Sequence, residues 1–332
     1  MDILSVEELT VRFSTPEGAG TAVDGVSFTL GENETLGLVG ESGCGKTVTA
    51  LSILRLIQEP PGEIASGRIM FEGRDLLSLP TEELRHIRGN RIAMIFQEPM
   101  TALNPVFTVG DQIGEVYQLH RNATKKQARE NAIDMLGQVG IPAPEKRVDD
   151  YPHQLSGGMR QRAMIAMALA CNPSVLIADE PTTALDVTVQ AQILDLMEEL
   201  KNRFKMSIIL ITHDLGVVAQ HVQRVAVMYA GKIVESGPVE EIFEKPGHPY
   251  TLGLMASIPA LTGEVNAALN EIPGIVPPLH ESVPGCSFHP RCPFVMDVCR
   301  EKEPAFYDLS GGHKSACYLH APNIQKQQLL VR

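Results

Sequence analysis

Residues Gly40-Glu41-Ser42-Gly43-Cys44-Gly45-Lys46-Thr47 spell G-x-x-x-x-G-K-[ST] in full, and no other stretch constrains the fold as much. The octapeptide follows a short apolar run, Thr35–Val39, which reads as a buried strand. It leads into Lys46–Ile57, where apolar residues recur at helical spacing. In a strand–turn–helix, the glycines let backbone N–H groups turn inward around phosphate oxygens, and the helix N-terminus adds partial positive charge. The segment therefore predicts a nucleotide phosphate site built from Gly40, Ser42, Gly43, Cys44 and Gly45. Lys46 is expected on the β- and γ-phosphates, and the Thr47 hydroxyl on Mg²⁺. Cys44 stands at a variable position of the motif and reads as a filler rather than a nucleophile.

A second apolar run, Val175-Leu176-Ile177-Ala178, ends in Asp179-Glu180. A carboxylate at such a strand end suits Mg²⁺, which gives Asp179 a metal role. Glu180 is the candidate base for the attacking water. Ser207–Ile211 is a third buried-strand candidate, and helical segments at Gly158–Ala170 and Val187–Arg203 precede the second and third strands. That alternation predicts an α/β fold with a parallel sheet. Between Glu98 and Pro152 strand signals vanish and helical ones dominate, as in Lys125–Val139. A helical subdomain at about 98–160 is therefore expected inside the α/β core.

The 332 residues, 44% hydrophobic, are ample for a large core plus an extension. A net charge of −12 argues against nucleic acid as the main partner, since sequence-independent binding to it needs a basic face. The N-terminal MDILSVEELTVRF lacks a signal-peptide pattern, and no apolar run nears the ~20 residues of a membrane span. A soluble, cytoplasmic protein is expected.

Leu155-Ser156-Gly157-Gly158-Met159 lies some twenty residues before Asp179. It resembles the LSGGQ signature of ABC ATPases, with Met at the last position. The resemblance spans roughly residues 3–250 and implies a P-loop NTPase fold of ABC type. It implies that Ser156, Gly157 and Gly158 contact the γ-phosphate of ATP held by an opposite subunit. Gln97 matches the Q-loop, which touches Mg²⁺ or water and reports to a membrane partner. Ala184-Leu185-Asp186 resembles the D-loop at the dimer seam, with Asp186 as its carboxylate. His213 matches the switch histidine, and Phe13 the aromatic that stacks on adenine. One motif set in a sandwich that needs two implies a second ABC ATPase subunit, either another copy of this chain or a related but distinct chain, the latter favoured.

His248-Pro249-Tyr250-Thr251, a proline-rich stretch and Gly285-Cys286-Ser287-Phe288-His289-Pro290-Arg291-Cys292-Pro293 follow. With Cys299 and Cys317 they resemble the C-terminal region of ATPases from bacterial dipeptide, oligopeptide and nickel importers. The boundaries expected are an ABC ATPase domain at 1–256 and a Cys-rich extension at 257–332. The resemblance implies import of di- or oligopeptides, with nickel or another small solute as the alternative cargo. A soluble ABC ATPase acting on nucleic acid or the ribosome is the competing class; the acidic charge and single motif set oppose it. The implied partners are two membrane-spanning permease subunits and an external substrate-binding protein, at the cytoplasmic face of the bacterial inner membrane. Four clustered cysteines in a reducing compartment suggest metal ligands. The missing C-x-x-C knuckle argues mildly against zinc, and four thiolates can hold a [4Fe–4S] cluster, which the resemblance favours. Zn²⁺ and free thiols are the alternatives, with His289 and His313 as substitute ligands or surface residues.

Overall fold

The computed structural model describes residues 1–16, 18–98, 102–183, 185–257, 272–281 and 283–322. In chain order its strands are β1 (Asp2–Thr15), β2 (Gly18–Gly31), β3 (Thr35–Val39), β4 (Gly62–Phe71), β5 (Arg74–Asp75), β6 (Ile92–Ile95), β7 (Val175–Asp179), β8 (Ser207–Thr212), β9 (Arg224–Tyr229), β10 (Lys232–Pro238), β11 (Tyr307–Ser310) and β12 (His313–Ser315). Its helices are α1 (Lys46–Ile53), α2 (Thr81–Ile87), α3 (Val109–Arg121), α4 (Lys125–Gln138), α5 (Pro144–Arg147), α6 (Gly157–Leu169), α7 (Val187–Phe204), α8 (Leu215–His221), α9 (Val239–Glu244), α10 (Pro249–Ala256) and α11 (Asp297–Glu301). The described residues divide into two compact units.

The first unit comprises Met1–Leu4, Leu30–Thr35 and Phe71–Ile211. Its sheet is parallel: β7 pairs with β6 from Ile92↔Val175 and with β8 from Val175↔Ser207. All five residues of β7 are buried, so this strand reads as a continuous apolar run instead of alternating. Helix α6, with Met164, Ile165 and Leu169 buried, packs on β6 and α7, while α3 and α4 pack on each other and on α6. Helices α3, α4, α6 and α7 each start on a sequence-encoded cap. Thr108 accepts from the Asp111 N–H at 3.1 Å, and Thr124 forms a capping box with Gln127.

The second unit comprises Ser5–Thr29, Leu36–Met70 and the described residues from Thr212 onward. Its main sheet runs β11-β12-β10-β9-β3. β3 and β9 are parallel from Leu36↔Arg224, and β10 is antiparallel to β9 and to β12, with Glu235↔Ser315 in register. A second sheet places β1 between β2 and β4. On β1 the buried positions Val6, Leu9 and Val11 do not alternate strictly, because Glu8 sits in the left-handed region at φ 48° and shifts the phase.

The three parallel strands stand where the sequence predicts them, and α6 and α7 begin within a residue of expectation. Helix α1 is shorter than the predicted Lys46–Ile57 and ends at Ile53. Arg55 takes up φ 49°, which breaks the helix ahead of Pro60 and Pro61. The antiparallel strands of the second unit were not anticipated by a purely parallel sheet, and β11 and β12 fall in a stretch that reads as loop.

Candidate nucleotide site

The phosphate loop belongs to the second unit and is carried between β3 and α1. Gly40 and Gly45 have φ of 151° and 105°, in the region that favours glycine. A Cβ on Gly40 would lie 2.2 Å from the Met228 carbonyl, and one on Gly45 2.6 Å from the Ala22 carbonyl. The glycines are therefore demanded by close backbone approach as well as by conformation. Gly45 caps α1, so the first helical N–H groups open toward the loop. Lys46 is buried, and its ammonium donates to the Gly40 carbonyl at 2.7 Å and the Glu41 carbonyl at 2.9 Å. Cys44 is fully buried, with its thiol pushed up by desolvation, which keeps it protonated and inert as the filler reading expects. Phe13 is half-buried on β1, and its ring leaves room for no more than the hydrogen of Gly62, where a Cβ would approach Cε1 to 2.8 Å. His213 is exposed just beyond β8, and Asp214 after it caps α8 by accepting from Gly216 and Val217.

The acidic pair and the signature segment belong to the first unit. Asp179 is the buried last residue of β7. Glu180 follows at φ 46°, a left-handed backbone that costs a non-glycine residue on the order of 1–3 kcal/mol and is typical of functional positions. Its N–H donates to the Ile211 carbonyl at 2.9 Å, which fixes the strained turn to β8. Its carboxylate Oε2 accepts from Gln97 Nε2 at 3.0 Å and from the Thr183 hydroxyl at 2.9 Å. Ser156 is the N-cap of α6 and accepts from the Met159 N–H at 3.4 Å, so the exposed Gly157 and the half-buried Gly158 open the first turn of a 13-residue helix. Gly158 is held to glycine by α7, since its Cβ would meet Val189 at 3.0 Å. Asp186 caps α7 by accepting from the Val189 N–H at 3.0 Å. Ala184, the first residue of the expected D-loop, lies outside the described residues.

Four cysteines of the second unit, Cys286, Cys292, Cys299 and Cys317, line one small cavity of about 10 Å³ together with His289 and Phe294. Cys286 and Cys299 are also joined through the backbone, Cys286 N–H donating to the Cys299 carbonyl at 2.8 Å. Burial raises the thiols of Cys286, Cys292 (to about 11) and Cys317 (to about 12). Among the described residues no three His, Cys, Asp or Glu side chains stand close enough together to hold a metal ion. His313 is neither a ligand nor a surface residue. It is buried, with Nε2 at 2.6 Å from Glu235, whose carboxylate also accepts from the Gly247 and His248 N–H groups. His289 stands at the cavity, Nδ1 3.0 Å from the Cys286 carbonyl.

Sequence reasoning assigns no role to Thr183, or to the Glu41, Tyr250 and Arg291 group that meets the phosphate loop. The Glu41 N–H donates to the Tyr250 hydroxyl at 2.8 Å, and Glu41 pairs with Arg291 across 250 positions of sequence. No local pattern encodes contacts at such separation.

The family model described as "ABC transporter" matches residues 23–183, and the "Oligopeptide/dipeptide transporter, C-terminal region" model matches 234–299. A probable peptide ABC transporter ATP-binding protein of Sinorhizobium fredii is 54% identical over 316 residues, which is 95% of this chain and 94% of that protein. A dipeptide transport ATP-binding protein of Bacillus subtilis is 54% identical over 318 residues, 96% of this chain and 94% of that protein. Among solved structures, a dimeric ATP-binding cassette bound to ADP and Pi is 26% identical, with a TM-score of 0.63, and covers 71% of this chain and 98% of its own. A cassette from Clostridium perfringens, part of an ABC transporter complex, is 28% identical at TM-score 0.61 over 74% and 91%.

Proposed function

The chain belongs to the ATP-binding proteins of ABC transporters that carry the oligopeptide/dipeptide C-terminal region, and from that premise we propose that it hydrolyses ATP to energise import of di- or oligopeptides. The observation that carries the catalytic reading is Glu180, strained at the end of β7 and held by Gln97 and Thr183. A carboxylate fixed in this way is a base oriented before substrate arrives. ATP takes its phosphates against the amides of Gly40–Thr47, with Lys46 turning its ammonium from the Gly40 and Glu41 carbonyls to the β- and γ-oxygens. Thr47, Gln97 and Asp179 offer the hydroxyl, amide and carboxylate oxygens that suit a hard cation. Mg²⁺ there supplies charge neutralisation on the γ-phosphate. Glu180 accepts the proton of the attacking water, while His213 contacts the γ-phosphate. Ser156, Gly157 and Gly158 present helix-start amides to the nucleotide of a second, related ATPase subunit, next to Asp186 at the seam. Phe13 takes the adenine face.

In this reading residues 1–256 are the ATPase domain, with helices at about 98–160 that receive the permease, and 257–332 form the extension. No helix among the described residues is long and apolar enough to cross a membrane. The relatives named as ATP-binding proteins of peptide transporters support a place at the cytoplasmic face of the membrane beneath two permease subunits, which receive cargo from an external binding protein. The relatives named for peptide and dipeptide transport support the cargo.

The extension is read as a metal-stabilised module. What supports the reading is that four thiols of the extension line one pocket, as a thiolate-held metal group requires. A [4Fe–4S] cluster held by Cys286, Cys292, Cys299 and Cys317 would tie α11 to the loops on either side. Iron, sulfide and zinc assays on anaerobically purified protein test it: four irons with sulfide support it, while one zinc or no metal refutes it. Cells lacking this subunit test the cargo. Lost dipeptide and oligopeptide uptake is expected, and normal peptide uptake with lost nickel uptake would overturn the peptide reading.

A further inference from the structure

We propose that Arg291, a residue of the C-terminal extension, is a positioning residue of the phosphate loop, acting through Glu41. The inference rests on the nucleotide reading of that loop. Glu41 is its second residue, and both Glu41 carboxylate oxygens are taken by Arg291, Nη1 donating at 2.7 Å and Nη2 at 3.0 Å. This is the bidentate fork geometry in which guanidinium and carboxylate are most specific. The Arg291 side chain is 4% exposed and that of Glu41 29%, so the pair sits at the edge of solvent with the arginine sealed in.

All three nitrogens of the arginine's guanidinium donate. Nε donates to the Pro273 carbonyl at 2.9 Å and Nη2 also to the Ile272 carbonyl at 3.1 Å, while the guanidinium lies 5.7 Å from the Tyr229 ring centre. Tyr229, Tyr250 and Phe288 form a buried aromatic cluster around it, with centroids 4.7–5.4 Å apart. The Tyr250 hydroxyl in turn accepts the Glu41 N–H at 2.8 Å. Glu41 is thus gripped at its backbone by α10 and at its carboxylate by the extension. The Glu41 carbonyl that accepts from Lys46 belongs to the same residue, so the grip sets where the lysine rests before ATP arrives.

The test uses the full-length chain. Arg291→Gln and Glu41→Gln should each raise KM for ATP about tenfold, with kcat kept within about twofold, and the double variant should be no worse than either single. Arg291→Lys, which keeps charge but loses the fork, should fall between wild type and Arg291→Gln, and it serves if the glutamine variant does not fold. Hydrogen exchange on the nucleotide-free chain should show faster exchange at the Glu41 amide in Arg291→Gln. An unchanged KM, a loss confined to kcat, single effects that multiply in the double variant, or unchanged exchange would overturn the proposal. A wild-type chain that binds no ATP would sink the nucleotide reading instead, and the exchange experiment would still decide whether Arg291 holds the loop.

Discussion

Gln97 holds Glu180: the amide Nε2 donates to carboxylate Oε2 at 3.0 Å, across 83 positions of sequence. A segment expected to report to the membrane partner is thereby joined to the expected catalytic base. Glu180→Gln should retain ATP binding and lose about 10²–10⁴-fold in turnover, the usual share of a general base. Gln97→Ala should lower kcat less, about tenfold, with KM little changed, because Thr183 still holds the carboxylate. Phosphate release at saturating ATP measures both. Wild-type turnover in Glu180→Gln would remove the base assignment.

Lys46 already neutralises two loop carbonyls, those of Gly40 and Glu41. Its removal deletes the ammonium from phosphate binding and leaves the two carbonyls facing the substrate. Lys46→Ala should weaken ATP binding roughly ten- to a hundredfold, as expected for a hydrogen bond to a charged group. Equilibrium binding of a fluorescent ATP analogue measures it, and undiminished affinity would contradict the assignment.

Gly45 offers a test that separates conformation from charge. Its φ of 105° and the 2.6 Å approach of a Cβ to the Ala22 carbonyl both exclude alanine without movement. Gly45→Ala should cost about 1–3 kcal/mol of stability. It should also weaken ATP binding, because the loop amides move. Urea unfolding and binding on the same protein check the two effects together. A stable variant with native affinity would mean that the loop does not need its left-handed residue.

What could be read in advance follows from how local each signal is. The phosphate loop is eight contiguous residues and its motif is read without any distant partner, although the backbone that crowds Gly40 and Gly45 comes from Met228 and Ala22. β7 was legible because a strand buried on both faces is a continuous apolar run. The caps Ser156, Asp186 and Thr124 act within three residues of themselves. β11 and β12 were illegible because YDLS and HKS carry little apolar periodicity, and β12 is a strand through its pairing with β10 at Glu235↔Ser315. His313 read as a surface or ligand residue for the same reason, since its partner Glu235 lies 78 residues away. Arg291 could be quoted within a motif, but its partner at Glu41 could not.

His248 carries a pH prediction. The ring is buried beside the cysteine cavity, and desolvation, with a contribution from His320, holds it down to about 3 from an ordinary 6.5. The neutral Nδ1 is needed, because it accepts the Tyr250 N–H at 3.1 Å and so caps α10. Above pH 6.5 the ring is neutral in the folded and the unfolded chain, and pH has no leverage through it. Below that value the unfolded ring takes a proton and the folded one does not. Stability should therefore fall with decreasing pH, by up to ~1.4 kcal/mol per unit from this group, until the folded value is reached. An asparagine can supply the same cap through its side-chain carbonyl without titrating. His248→Asn should thus be less sensitive than wild type between about pH 7 and pH 5 when urea midpoints are compared. Parallel pH curves for the two proteins would show that His248 is not the buried neutral group described, and that the acid sensitivity of the fold originates elsewhere.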